Sequence, residues 1–148
     1  MTKEEERLYE AAARLAARAH EGQVDRGGTA YIQHPLAVAA MLADPGDRMA
    51  ALLHDVVEDT EVTLEELAEQ FPPDIVEAVR LLTRQPGVPY QDYLKAIREN
   101  PMACRVKIAD LTHNMDLGRI PHPGPEDYAR RARYRNSILY LQGETREG

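Results

Sequence analysis

The sequence predicts an all-α fold: one compact helical domain over residues 1–148. Three observations predict it. Apolar residues recur at helical spacing in the first segment, at Leu8, Ala12, Leu15 and Ala19. Proline and glycine punctuate the chain at intervals that suit helices. No alternating apolar–polar segment is long enough to demand a sheet. With 148 residues, 43% of them apolar and 29% charged, the chain has the size and balance of one domain with a real core.

The elements follow in order. Residues 4–21 form the first helix. The stretch "GQVDRGGTA" is a loop, with Gly27 and Gly28 as its hinge. Pro35 suits the first turn of the next helix, where its missing N–H costs nothing. "DPGD" is a tight turn, and a third helix runs from about 47 to 58. Thr63 and Glu66 fit a capping box for the helix after it, and Asp74 and Glu77 repeat that pattern behind Pro72 and Pro73. "QPGVP" is a turn before the helical "YQDYLKAIRE". Asn100 caps a helix that has Pro101 at its first position and runs to about 117. "IPHPGP" is a loop. The last helix, about 126–142, lines up Tyr134, Ile138 and Leu141 and stops at Gly143.

Composition removes several function classes. A net charge of −7 argues against a nucleic-acid partner, which needs a basic face. No apolar run is long enough to span a membrane. The charged start "MTKEEERLYE" is no signal peptide. Cys104, the sole cysteine, rules out a disulfide framework and reads as a small core residue. Together these features predict a cytoplasmic protein.

The segment "LLHDVVEDT" sets four ionisable groups among Leu and Val. On a continuous helix His54, Asp55, Glu58 and Asp59 stand at about 0°, 100°, 40° and 140°, which puts them on one face. Ionised acids in a core need a cation beside them. A divalent metal is the economical one, since His and Asp are standard ligands. "IQHPL" offers His34, and Asp110 sits in the apolar turn of "VKIADLTHNMDL". His34, His54, Asp55 and Asp110 make a two-His, two-Asp set that suits Mn²⁺, Fe²⁺ or Zn²⁺. Lone histidines elsewhere (His20, His113, His122) read as ordinary hydrogen-bonding residues. Lys107 reads as the partner of an acidic neighbour. The Arg130, Arg131, Arg133, Arg135 run reads as a solvated face from which one guanidinium could reach a phosphate.

In order along the chain, "AHEGQ", "YIQHP", "LLHDVVEDT" and "ADLTHNM" resemble the HD-domain metal-dependent phosphohydrolases, and within them the hydrolase domain of RelA/SpoT proteins and the small alarmone hydrolases. The resemblance spans about residues 19–117. It implies a Mn²⁺-dependent enzyme, other divalent ions being possible, that removes the 3′-pyrophosphate of guanosine tetra- or pentaphosphate. It implies His34, His54, Asp55 and Asp110 as metal ligands and Glu58 and Asp59 as the acidic pair that activates water. Asn114 would contact the substrate, and Arg26 and Tyr31 would line the nucleotide pocket. The partner implied is a small anionic nucleotide. The family's synthetase domain has no room in 148 residues. Two positions depart from the pattern. Asp25 stands where a basic residue stacks on the base, and its carboxylate is expected to repel phosphates. Leu111 stands where Arg or Lys is usual. These departures leave two other readings open: an HD-type phosphatase of another phosphate ester, and a non-catalytic nucleotide and metal sensor.

Overall fold

The computed structural model describes residues 1–143, and among these it contains helices and no named strand. The helices are α1 (Lys3–Ala19), α2 (Gln33–Ala40), α3 (Pro45–Leu53), α4 (Val56–Asp59), α5 (Leu64–Ala68), α6 (Pro73–Leu82), α7 (Tyr90–Arg98), α8 (Pro101–Asn114) and α9 (Pro125–Leu141). No helix among the described residues is long and apolar enough to cross a membrane.

Local chemistry sets most of the boundaries. Thr2 accepts from the Glu5 N–H at 3.0 Å, and the Glu5 carboxylate accepts from the Thr2 N–H at 2.8 Å. That reciprocal box starts α1, which buries Leu8, Ala12 and Ala16. Asn100 accepts from the Ala103 N–H at 2.9 Å and Pro101 opens α8, as expected. At α5 Thr63 accepts from Glu66 N–H at 3.2 Å. The box expected at Asp74 is absent. Pro72 occupies the cap position of α6, so Asp74 lies inside the first turn and Glu77 pairs with Arg80 instead. α8 ends at Asn114 rather than near 117. There Asp116 accepts from the Gly118 N–H at 2.9 Å and begins a 3-10 turn, Leu117–Arg119.

α3 is the central helix. Met49, Ala50, Ala51, Leu52 and Leu53 are all buried, and α1, α2, α6 and α8 pack around it. It is shorter than the sequence suggests. The chain leaves the helix after Leu53, and α4 is a separate turn. The His54 ring donates through Nδ1 to the Ala51 carbonyl at 2.5 Å, taking the acceptor that a continuous helix would offer to the Asp55 N–H. The shared face expected of His54, Asp55, Glu58 and Asp59 therefore does not form as a regular helical stripe.

Two devices hold the site's elements in place. Arg105 on α8 grips Asp47 on α3 through both carboxylate oxygens, at 2.5 and 3.0 Å, and Asp47 is 2% exposed. The loop before α2 docks on the 3-10 turn: a Cβ on Gly27 would stand 2.2 Å from the Arg119 carbonyl oxygen. Within that loop Asp25 Oδ1 accepts from the N–H groups of Gly27 and Thr29, both at 2.9 Å.

Removing one side of the α3–α8 clamp should hurt unequally. Arg105→Met strands a buried carboxylate and should cost about 3 kcal/mol of unfolding free energy. Asp47→Asn leaves a neutral amide facing a half-exposed guanidinium and should cost about 1 kcal/mol. Urea unfolding measures both, and equal losses would contradict the asymmetry.

Candidate metal centre and active site

Three elements bring four side chains to one point. His34 lies at the start of α2, its N–H bonded to the Tyr31 carbonyl at 2.9 Å. His54 and Asp55 occupy the break between α3 and α4, and Asp110 sits in the last turns of α8. His34 Nε2 lies 2.7 Å from Asp110 Oδ1 and 3.9 Å from Asp55 Oδ2. His54 Nε2 lies 3.2 Å from each of those carboxylate oxygens. One ligand atom from each of the four residues falls within 4.8 Å of the others. Ligand atoms about 2 Å from one ion have such spacings. The donor set, two imidazole nitrogens and two carboxylate oxygens, suits a divalent ion of borderline hardness. The residues present therefore fit a metal.

Each of the four is also held from behind. His54 uses Nδ1 on the Ala51 carbonyl, which leaves Nε2 facing the cluster. Asp55 Oδ2 accepts from the Tyr31 hydroxyl at 2.6 Å. Asp110 Oδ2 accepts from Lys107 Nζ at 3.2 Å, and Asn114 Nδ2 reaches Asp110 Oδ1 at 3.4 Å. The Nδ1 atoms of His34 and His113 lie 2.7 Å apart. Such outer contacts orient metal ligands.

The electrostatics follow from burial and close charge. Burial alone would lower the His54 pKa, but Asp55 and Asp110 outweigh it and raise it to about 9. Burial would likewise discharge Lys107, yet Asp110 holds its pKa above the ordinary lysine value. The Asp110 carboxyl, which burial would push up, is held well below its usual range by Lys107 and the two histidines. Burial, then Asp55, raises the Tyr31 hydroxyl. Burial, Asp55 and Glu58 together raise the Asp59 carboxyl. Burial and the Arg119 charge lower the His113 ring.

Of the cluster, Asp110 lies in the wall of a groove made of two cavities that share Asn114 and Tyr134. The smaller, about 190 Å³, has Asp110, Glu58, Lys107 and Arg84 in its walls. The larger, about 320 Å³, is bounded by Arg26, Tyr31, Arg119 and Arg130. Glu58 is held by the Arg84 backbone N–H at 2.8 Å and faces the smaller cavity. Asp59 lines a different depression beside Gln23 and Thr60. Glu58 and Asp59 are consecutive on α4 and leave it about 100° apart, which separates the two acids. Arg26, Tyr31 and Asn114 all border the groove, and Arg26 also pairs with Asp127 at 2.7 Å. Asp25 borders it too, but the repulsion expected of its carboxylate is offset. Arg119 lies 3.1 Å away, and two backbone N–H groups occupy the other oxygen.

Sequence reasoning missed Arg84, Tyr134 and His113. It read Lys107 as the partner of an acidic neighbour, which Asp110 is at 3.2 Å, and the Arg130 run chiefly as a solvated face. Lys107 carried a usable signal, since three residues before Asp110 is a helical pairing distance. Arg84 carried none, because it reaches the groove only through the turn after α6. His20 does what was expected, holding Gln23 through Nδ1 at 3.1 Å.

Known proteins resemble this chain in sequence and in overall shape. The HD domain family profile matches residues 12–130. A probable GTP pyrophosphokinase of Mycobacterium leprae is 39% identical over 140 residues, covering 85% of this chain and 17% of its own length. The bifunctional (p)ppGpp synthase/hydrolase SpoT of Escherichia coli is 39% identical over 116 residues, covering 68% of this chain and 16% of its own. The chain therefore spans about a sixth of these curated relatives. A solved structure of a metazoan SpoT orthologue, described as hydrolysing ppGpp, superposes with a TM-score of 0.73 at 27% identity, covering 95% of this chain and 88% of that one. A matched span of that length, over a helical fold with the His–Asp cluster at its centre, decides the family: the chain is an HD-domain protein.

Proposed function

We propose that this protein is a cytoplasmic, Mn²⁺-dependent hydrolase that removes pyrophosphate from the 3′ position of guanosine tetra- or pentaphosphate or a related alarmone. One observation carries the reading. The Asp110 carboxylate belongs both to the four-residue cluster and to the wall of a cation-bearing cavity that also contains Glu58. His34, His54, Asp55 and Asp110 would hold the ion. A divalent ion there supplies Lewis acidity towards phosphoryl oxygens and lowers the pKa of a nearby water. The chain's own residues do the rest. Lys107 and Arg84 face the phosphates with fixed positive charge. Arg26, Arg119 and Arg130 set the anionic nucleotide in the larger cavity, with Tyr31, Asn114 and Tyr134 against it. Glu58, anchored by the Arg84 N–H, takes the proton of the attacking water. Asp59, its carboxyl raised by burial and its acidic neighbours, would be the second proton-handling acid, from the depression beside Gln23 and Thr60. The water oxygen bonds to phosphorus, the bond from that phosphorus to the 3′ oxygen breaks, the 3′ oxygen takes up the proton that Glu58 removed, and pyrophosphate departs.

Incubating the protein and Mn²⁺ with guanosine and adenosine tetraphosphates tests the assignment, reading the released phosphate species. Pyrophosphate release supports it. Orthophosphate release would turn the reading to a phosphatase of another ester. Tight binding without product would turn it to a sensor. Asp25, where the base-stacking residue of similar enzymes would stand, is the reason for including adenosine.

Glu58→Gln should lower kcat at least about a hundredfold while metal affinity stays within a factor of about three, as metal titration and steady-state kinetics would show. Unchanged kcat would exclude Glu58 as the proton acceptor.

Metal and proton should compete at His54. Its folded pKa is raised from 6.5 to about 9. In metal-free protein its contribution to stability is therefore complete below pH 6.5 and is lost as the pH rises through about 9. Binding an ion must displace that proton, so apparent metal affinity should climb by up to about tenfold per pH unit across the same window. Calorimetric titration at several pH values checks this, and a flat profile would contradict it.

A further inference from the structure

We propose that His113 is the positioning residue of His34, accepting the Nδ1 proton of that ring and so fixing the tautomer and rotation in which Nε2 can hold a metal ion. The inference rests on the metal-dependent reading above, and nothing in the sequence had set His113 apart from an ordinary surface-side histidine.

The geometry of the two rings carries it. Their Nδ1 atoms are 2.7 Å apart, their centroids 4.9 Å apart, and their planes differ by only 27°. The centroid distance falls just short of the N–N distance plus one ring radius on each side, the greatest separation those rings could have. The rings therefore meet end to end and nearly coplanar, not face to face. In that arrangement an N–H on one ring points along the lone pair of the other. One of the two nitrogens must donate and the other accept.

The other end of His34 decides which. Its Nε2 faces Asp110 Oδ1 at 2.7 Å and Asp55 Oδ2 at 3.9 Å, so Nε2 is the atom that enters the cluster. A metal ligand must offer a lone pair there, and a neutral imidazole has one proton to place. That proton sits on Nδ1, and His113 is what receives it. His34 is 4% exposed, so water is poorly placed to substitute. His54 solves the same problem with a backbone carbonyl, that of Ala51. Of the two histidines only His34 depends on a side chain, which makes its orientation open to substitution.

The acceptor is itself fixed. His113 lies three residues after Asp110 on α8, close to the ligand it shares a site with. Arg119 Nη1 donates to the His113 carbonyl at 3.1 Å while its Nη2 grips Asp25 at 3.1 Å. The turn that closes the larger cavity thereby also holds the residue behind the metal ligand.

The test is Mn²⁺ binding without substrate, read as a dissociation constant by electron paramagnetic resonance, for wild type, His113→Asn, His113→Gln and His113→Phe. Asparagine places an acceptor oxygen where the histidine has Nδ1, while glutamine places it nearer the Nε2 position. His113→Phe and His113→Gln should bind about 10- to 100-fold more weakly, and His113→Asn should stay within about threefold of wild type. Circular dichroism melting of the metal-free forms identifies any variant that fails to fold, in which case the Asn–Gln pair decides. Equal affinity of His113→Gln and wild type, or equal weakness of Asn and Gln, would overturn the positioning role. A wild-type protein that binds no Mn²⁺ would overturn the metal reading and this inference together.

Discussion

The structure is organised around one buried carboxylate. Asp110 is 5% exposed in the last turns of an otherwise core-facing helix. An ionised acid in that position costs several kcal/mol unless it is paired, more than the roughly 2 kcal/mol that burying a neighbour such as Leu111 contributes. Three parts of the chain meet the cost. Lys107 comes from the same helix, His34 from α2 and His54 from the end of α3. The demand of one charge thus determines where these elements cross, and that crossing is the site. Without an ion, a proton on His54 supplies part of the missing positive charge. With an ion, the same atoms would be its ligands.

The break after Leu53 is the second determinant. It lets a fully buried helix deliver two polar side chains at its end without carrying them through the core. Beyond it Glu58 and Asp59, consecutive on α4 and about 100° apart, reach different openings, so the two acids are not equivalent. Glu58 faces the cavity that contains Lys107 and Arg84, while Asp59 borders the depression on the other side of α4. An acid facing the cations that would meet a phosphate is better placed to receive a proton than one turned away from them.

Much of this was legible in the sequence, and the reasons are specific. His54, Asp55 and Asp110 stood out because each interrupts apolar surroundings, where an unpaired charge is costly, and His34 because it stands at a loop-to-helix junction in "IQHPL". The helical class followed from spacing and from proline and asparagine at helix starts, as at α8. What was hidden depended on contacts between distant segments. The end of α3 is set by a ring nitrogen competing for a carbonyl, which no periodicity reveals, and Asp74 lost its cap to Pro72. Asp25 looked like a phosphate-repelling residue because its partner, Arg119, lies 94 residues away. His113 looked ordinary because a histidine's value depends on which atom its ring nitrogen meets.

The most direct test of the central proposition is anomalous diffraction at the manganese absorption edge from crystals of the Mn²⁺-loaded protein. One peak within coordination distance of His34 Nε2, His54 Nε2, Asp55 and Asp110 is the expected result. A fully loaded protein whose manganese lies elsewhere, or an ion that leaves His34 or Asp110 beyond its reach, would contradict it.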